Sequence, residues 1–83
     1  MEQVKARANG LDEYALSNGQ LIKGNTVHHI YPIDERPDLS LSVDNLIYLS
    51  PRSHGYIHGE YAKSPKKKKA LQLELKAIAG GGG

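Results

Sequence analysis

The four histidines of this 83-residue chain fall into two pairs whose spacings suit two different secondary structures. His54 and His58 stand four residues apart, so on a helix their rings lie on one face and can bind a single ion. His28 and His29 are adjacent, and adjacent side chains of a strand point to opposite faces. The two pairs therefore indicate a metal site between a strand and a helix, with one histidine of the adjacent pair as ligand and the other as a free base beside the ion.

Helix signals are clear in the second half of the chain. Ser50-Pro51 is typical of a helix start, a capping residue followed by proline at the first helical position, and the helix is expected to end at about Ala62. Ser64 and Pro65 repeat the signal for a C-terminal helix over residues 65–79, with an inner face of Leu71, Leu75 and Ile78. The first of these two helices carries one stripe of side chains, formed by His54, Ile57, His58 and Tyr61.

The first half of the chain is richer in turn residues. A helix is expected over residues 2–9, ending at Asn9-Gly10, and residues 14–24 read as turns. Leu21-Ile22 and residues 27–30 are expected to pair as a hairpin, which Pro32 then ends. Residues 31–43 read as an irregular loop, and loops of this length are usually functional or held by side-chain bonds.

Asn45 follows that loop and precedes the apolar run of residues 46–49. Its side-chain amide can donate and accept at once, so it can join two backbone stretches of the loop. Alternatively it caps the segment that follows, a task that Asp44 could also perform.

Size and composition point to one compact domain. A chain this short often needs a metal or a disulfide, and without cysteine neither a disulfide nor a thiolate zinc site can form. The lack of cysteine suits a cytoplasmic location, no run approaches the ~18 apolar residues of a membrane span, and residues 1–5 lack the apolar core of a secretory signal. We expect a cytoplasmic protein without a membrane segment.

Charge is divided unevenly along the chain. Residues 1–49 carry four basic and seven acidic side chains, and residues 50–83 carry seven basic and two acidic ones. A cationic half beside a metal site suits a polyanion such as DNA. The other interpretation is a solvated helix, which the run of residues 66–69 favours because four successive lysines wrap around a helix.

The run VHHIYPIDERPDLSLSVDNLIYLSPRSHGYIHGEY resembles the HNH endonucleases, and the resemblance covers residues 13–62. It rests on the order His28-His29, Asn45, His54, together with His58 one helical turn later. The resemblance implies an α+β fold: a small ββα-metal (His-Me finger) core, about residues 13–62, with flanking helices. The length predicts a single domain spanning residues 1–83, and the run of glycines predicts a flexible tail, residues 80–83. Many HNH endonucleases carry two Cys-x-x-Cys knuckles that hold a structural zinc. The corresponding segments here are Tyr14–Ser17 and Ser50–Ser53, which contain no cysteine. The resemblance therefore implies that tyrosine packing replaces the zinc, through Tyr14, Tyr48, Tyr56 and Tyr61.

The resemblance also implies roles for the site residues. His29 would be the general base and Asn45 its catalytic companion, while His28, His54 and His58 would hold one divalent metal. His28 shares a strand face with Ile30, so if Ile30 packs against the helix, His28 faces the metal and His29 faces the substrate.

The activity implied is hydrolysis of DNA phosphodiester bonds, by nicking or with low sequence specificity. The alternatives are an inactive metal- or DNA-binding module of the same fold and, less favoured, a protein-interaction domain of a phage assembly. A homodimer or a partner protein is left open. DNA phosphates are expected to be bound by cationic side chains, namely Arg36, Arg52, Lys63, Lys66 and Lys67.

The metal expected first is Mn²⁺. Three imidazoles are softer ligands than Mg²⁺ prefers, so Mn²⁺, Ni²⁺ or Zn²⁺ would bind more readily. A zinc ion with a closed coordination shell would be inhibitory, since catalysis needs an open position. The family as a whole uses Mg²⁺ or Mn²⁺, which selects Mn²⁺ among these ions.

Overall fold

A computed structural model of the chain describes residues 2–80. This part of the chain forms a small α+β structure in which four helices surround one two-stranded antiparallel sheet. No helix within it is both long and apolar enough to cross a membrane. In chain order the elements are α1 (Glu2–Ala8), α2 (Glu13–Ser17), β1 (Thr26–His29), β2 (Leu46–Leu49), α3 (Pro51–Lys63) and α4 (Pro65–Gly80).

The partner of β1 is β2, so the predicted hairpin with Leu21-Ile22 is wrong. Residues 21–22 form no strand, and only an isolated bridge joins Leu11 to Lys23 nearby. In the observed register Thr26 lies opposite Leu49 and His29 lies opposite Leu46. The reason is burial: all four residues of β2 are buried, and a continuous apolar strand of this kind needs cover on both faces.

The two faces of β2 pack against different helices. Leu46 and Tyr48 form one cluster with Val4 and Ala8 of α1. Ile47 and Leu49 enter a second, larger cluster, which takes Ile57 from α3 and several residues of α4. The sheet is thus held between α1 on one side and the α3–α4 pair on the other, which fixes β1 beside α3. The buried members of the larger cluster are Ile30, Ile47, Leu49, Ile57, Leu71, Leu75 and Ala79.

Helix α2 occupies the start of the segment predicted to be rich in turns, residues 14–24, so that prediction is wrong there. Asp12 caps it by accepting a hydrogen bond from the Ala15 N–H at 2.8 Å. The other oxygen of the Asp12 carboxylate accepts from the Ser50 N–H at 3.0 Å and from the Ser50 hydroxyl at 2.5 Å. Asp12 is fully buried, so one carboxylate ties the start of α2 to the start of α3.

This network joins the N-terminal ends of α2 and α3. The rings of Tyr14 and Tyr56 also stack between these helices, with centroids 5.9 Å apart. The tyrosine stack expected from the sequence and the buried Asp12–Ser50 contact, which the sequence does not predict, both hold α2 against α3.

The two C-terminal helices lie close to their predicted bounds. Leu71 and Leu75 of α4 are buried as predicted, and Ile78 is partly buried against the same cluster. Gly80 ends α4, so the predicted tail does not begin at residue 80. The rest of that tail, residues 81–83, lies outside the described residues.

Candidate metal centre

Three histidines converge where β1 meets α3. One ring nitrogen of each of His28, His54 and His58 lies within 4.8 Å of the other two. The Nε2 atoms of His54 and His58 are 2.9 Å apart. Metal–nitrogen bonds of about 2.0–2.1 Å place neighbouring imidazole nitrogens at roughly this separation. The His54–His58 separation therefore suits two ligands of one ion, and a His28 nitrogen lies within 4.8 Å of both.

Local structure explains this convergence. The Pro51–Lys63 helix places His54 and His58 one turn apart on the side of α3 that faces β1. His28 of β1 lies two residues before Ile30, which follows the strand and is buried in the cluster that includes Ile57 of α3. His28 is accordingly only 7% exposed, and its ring lies 5.4 Å and 5.7 Å, between centroids, from the rings of His54 and His58.

The electrostatics of the cluster favour neutral imidazoles. Burial, and then the neighbouring histidines, lower the pKa of His28 from 6.5 to about 4. Burial and His58 also lower the pKa of His54. The Nε2 atom of His28 is buried and has no hydrogen-bond partner within residues 2–80. A buried polar atom without a partner is costly, and a bound divalent ion would satisfy it, so the residues present fit a metal.

His29 takes a different position from His28. Its Nε2 lies 3.0 Å from the backbone carbonyl oxygen of Ser40. A carbonyl oxygen only accepts, so the neutral ring carries its proton on Nε2 and leaves Nδ1 with a free lone pair. His29 and the three clustered histidines border one open cavity of about 570 Å³, whose other lining residues are Val27, Pro32, Ile33 and Asp34.

Asn45 holds the loop that orients His29. Its Oδ1 accepts from the Tyr31 N–H at 2.9 Å, and its Nδ2 donates to the carbonyls of Tyr31 at 3.0 Å and Leu39 at 3.3 Å. Asn45 is fully buried, so these bonds replace water entirely. They are the bonds expected of an amide that joins two backbone stretches. Leu39 immediately precedes Ser40, so Asn45 and His29 contact adjacent backbone carbonyls of one loop.

The cations expected to bind DNA are dispersed. Arg36 pairs with Asp38, and Lys63 pairs with Glu60. Arg52 lines a separate cavity of about 200 Å³, beside Tyr14 and Tyr56. Lys66 and Lys67 are exposed at the start of α4. None of these five cations lines the histidine cavity.

Two further residues support the site. The Tyr61 hydroxyl and the Gln72 side-chain amide both donate to the Ile30 carbonyl, at 2.9 Å and 3.0 Å. Burial raises the pKa of Tyr61 well above its usual range, so this hydroxyl stays protonated and donates. Tyr61 was placed on the correct stripe of α3, whereas Gln72 was missed. Its signal was a polar residue three positions from Leu75, on the buried face of the predicted helix.

Comparisons of the chain with protein-family models, with curated proteins and with solved structures find no match. The histidine cavity is the part of the described chain that bears most directly on function. Its geometry joins three convergent imidazole nitrogens, one further imidazole of defined tautomer and an open approach from solvent.

Proposed function

We propose that this chain is a metal-dependent DNA endonuclease of the HNH kind, which hydrolyses phosphodiester bonds by nicking or with low sequence specificity. The observation that carries the proposal is the convergence of His28, His54 and His58, with His29 on the wall of the same cavity. The order β1, β2, α3, with ligands on the first and last of these elements, supports a ββα-metal core.

His29 is the general base of the proposed reaction. Its Nδ1 accepts a proton from water while the water oxygen forms a bond to phosphorus and the bond from phosphorus to the leaving oxygen breaks. A divalent ion held by the three other histidines would supply positive charge beside the phosphate and the leaving oxygen. Ser40 fixes the His29 tautomer through its carbonyl, and Asn45 fixes the loop that carries Ser40.

The donor set of the site bears on the choice of metal. Three neutral imidazoles suit Mn²⁺, Ni²⁺ or Zn²⁺ better than Mg²⁺, which prefers oxygen ligands and retains its waters. We propose Mn²⁺ as the activating ion, because it accepts nitrogen ligands and leaves coordination positions for water and phosphate.

Low sequence specificity is expected because the proposed DNA contacts are lysine and arginine side chains that bind phosphates. Contacts to phosphates position DNA without reading its bases. Arg36 and Lys63 already pair with carboxylates, and Lys66 and Lys67 make no ion pair within residues 2–80. Lys66 and Lys67 are therefore the cations of the proposed set that are readiest to bind phosphate, with Arg52 as a further contact from α3.

The proposal is tested by cleavage of supercoiled plasmid with Mn²⁺, Mg²⁺ or EDTA. The proteins compared are the wild type, His29→Ala and a surface control, Lys5→Ala on α1. We expect nicked product with Mn²⁺ and none with EDTA. Removal of a general base should slow the reaction by about 10²–10⁴-fold, whereas Lys5→Ala should cut at the wild-type rate.

Other outcomes favour other functions. Folded protein that binds Mn²⁺ and DNA without cutting would indicate the inactive binding module. Equal rates for the wild type and His29→Ala would show a contaminating nuclease or a wrong base. A column purification that separates activity from the protein would distinguish these two cases.

A further inference from the structure

We propose that Lys68 is a phosphate-binding residue of the DNA site, and that Glu35 occupies its ammonium group until DNA displaces the carboxylate. This inference rests on the proposed endonuclease function and adds a substrate contact with its own regulation. In the structure the Lys68 ammonium on α4 forms an ion pair with the Glu35 carboxylate. Glu35 lies in the turn that begins at Pro32, where both the Glu35 and the Arg36 N–H donate to the Pro32 carbonyl.

That turn is a wall of the histidine cavity. Pro32, Ile33 and Asp34 all line the cavity, and Glu35 is the next residue along the chain. The ion pair with Glu35 therefore connects Lys68 of α4 to the turn that forms this wall. Lys63 and Arg36 differ, because each pairs with a carboxylate on its own segment, three or two residues away.

Tyr61 connects Lys68 to the metal ligands. The Lys68 Nζ lies 5.7 Å from the centroid of the Tyr61 ring, close enough for a cation–π contact. The Tyr61 ring centroid lies 5.6 Å from that of His28. One aromatic ring therefore separates the ammonium from the candidate metal centre. Successive phosphates of one strand advance by about 3.4 Å along the DNA axis, so a phosphate a few nucleotides from the scissile bond can reach Lys68.

The contacts of Lys68 allow an exchange of partners. The side chains of Lys68 and Glu35 are 28% and 40% exposed, and ion pairs this close to solvent contribute little to stability and are screened by salt. DNA presents a line of phosphates and releases counterions on binding, which favours it over a single carboxylate.

The exchange predicts opposite effects for the two partners. Glu35→Gln frees the ammonium and removes a negative charge next to the cavity wall, so DNA should bind more tightly. Lys68→Gln removes the phosphate contact, so DNA should bind more weakly. A purely structural pair would behave differently, because losing either partner would release the same turn and change binding in the same direction.

The experiment is a fluorescence-anisotropy titration of labelled duplex DNA with the full chain and Mn²⁺. His29→Ala is present throughout so that the DNA stays intact. We expect Glu35→Gln to lower Kd on the order of fivefold and Lys68→Gln to raise it by a similar factor. Lys68→Gln should also reduce the slope of log K against log salt by about 0.9. Circular-dichroism melting confirms that each variant is folded.

Two controls separate this contact from net charge. Glu74→Gln, an exposed α4 residue with no ion pair within residues 2–80, makes the same charge change as Glu35→Gln. Lys5→Gln on α1 matches Lys68→Gln. Both controls should change Kd less than twofold.

The inference is overturned if the Glu35 and Lys68 variants shift Kd in the same direction, or shift it no more than their controls. Plasmid cleavage by the wild type together with such a result would leave the endonuclease proposal standing. If the wild type neither binds nor cuts DNA, the proposed function fails and this inference fails with it.

Discussion

The side-chain amide of Asn45 bonds both backbone groups of Tyr31, accepting from its N–H at 2.9 Å and donating to its carbonyl at 3.0 Å. A third bond reaches the Leu39 carbonyl at 3.3 Å. One buried side chain thus joins backbone groups fourteen positions apart in the connection between β1 and β2, residues 30–45, which also carries the Ser40 carbonyl beside His29.

Replacing Asn45 by aspartate should therefore harm both stability and activity. The carboxylate keeps the acceptor for the Tyr31 N–H but faces two carbonyls that have lost their donor. We expect the free energy of unfolding to fall by about 2–3 kcal/mol, since buried groups are left without partners. Urea unfolding measures this change, with exposed Asn25→Asp as the control, expected to stay within about 0.5 kcal/mol of the wild type. Equal stability of the two variants would contradict the role of Asn45.

Divalent metal should stabilise the folded chain. At a hundredfold excess over Kd, a ligand that binds only the folded state adds about 2.7 kcal/mol. For a domain of this size that raises Tm by about 10 °C or more. A melting scan with Mn²⁺ or Ni²⁺ should show the shift in the wild type and in His29→Ala, and should not show it in His58→Ala. A wild-type Tm that is unchanged at saturating metal would contradict a metal site at the three histidines.

Acid should destabilise the metal-free protein through His28. Its pKa is about 4 in the folded chain against 6.5 when unfolded, so between these values the unfolded state binds more protons. Stability should therefore rise with pH from about 4 to 6.5, by at most about 3 kcal/mol from this residue. Urea unfolding in EDTA at several pH values measures the slope. His28→Phe should reduce the slope of the unfolding free energy against pH. An unchanged slope in that variant would show that other groups cause the acid sensitivity.

Removing the buried Asp12 carboxylate should destabilise the protein far more than removing an exposed carboxylate. Burial tends to raise the pKa of Asp12, but hydrogen bonds from Ala15 and Ser50 outweigh it and hold the pKa below its usual range. Asp12→Ala leaves three donors unsatisfied, so a loss of about 3 kcal/mol is expected. Asp38→Ala, which breaks only an exposed pair with Arg36, should change the stability far less. Thermal melts of the two variants provide the comparison, and similar Tm values would argue against the network.

Replacement by alanine at two glycines, Gly24 and Gly59, should change the free energy of unfolding in opposite directions. A Cβ on Gly24 would lie 2.5 Å from Cδ2 and 2.8 Å from Cε2 of the buried Tyr48 ring, so Gly24→Ala should cost about 1–3 kcal/mol. A Cβ on Gly59 of α3 meets no atom within 4 Å in residues 2–80, so Gly59→Ala should stabilise by about 0.5–1 kcal/mol. Chemical denaturation of both variants tests the pair, and a stabilised Gly24→Ala would show that Tyr48 moves aside freely.

Local spacing determined much of what could be predicted from the sequence alone. Ser50-Pro51 and the spacing of His54 and His58 act within one or two helical turns, so the bounds of α3 and the pairing of the two rings follow without knowledge of the fold. Alternation along β1 likewise separated His28 from His29. The expected role of Asn45 came from the resemblance and from the bonding capacity of its amide.

Tertiary structure decided the rest, because those contacts join residues that no local rule relates. β1 pairs with β2 rather than with Leu21-Ile22, since the apolar run of β2 needs cover on both faces. The Asp12 carboxylate accepts a hydrogen bond from Ser50, thirty-eight residues away. The Gln72 amide donates one to the Ile30 carbonyl, forty-two residues away. Polar groups such as these are bonded wherever folding buries them, so their partners are known only once the chain has closed around them.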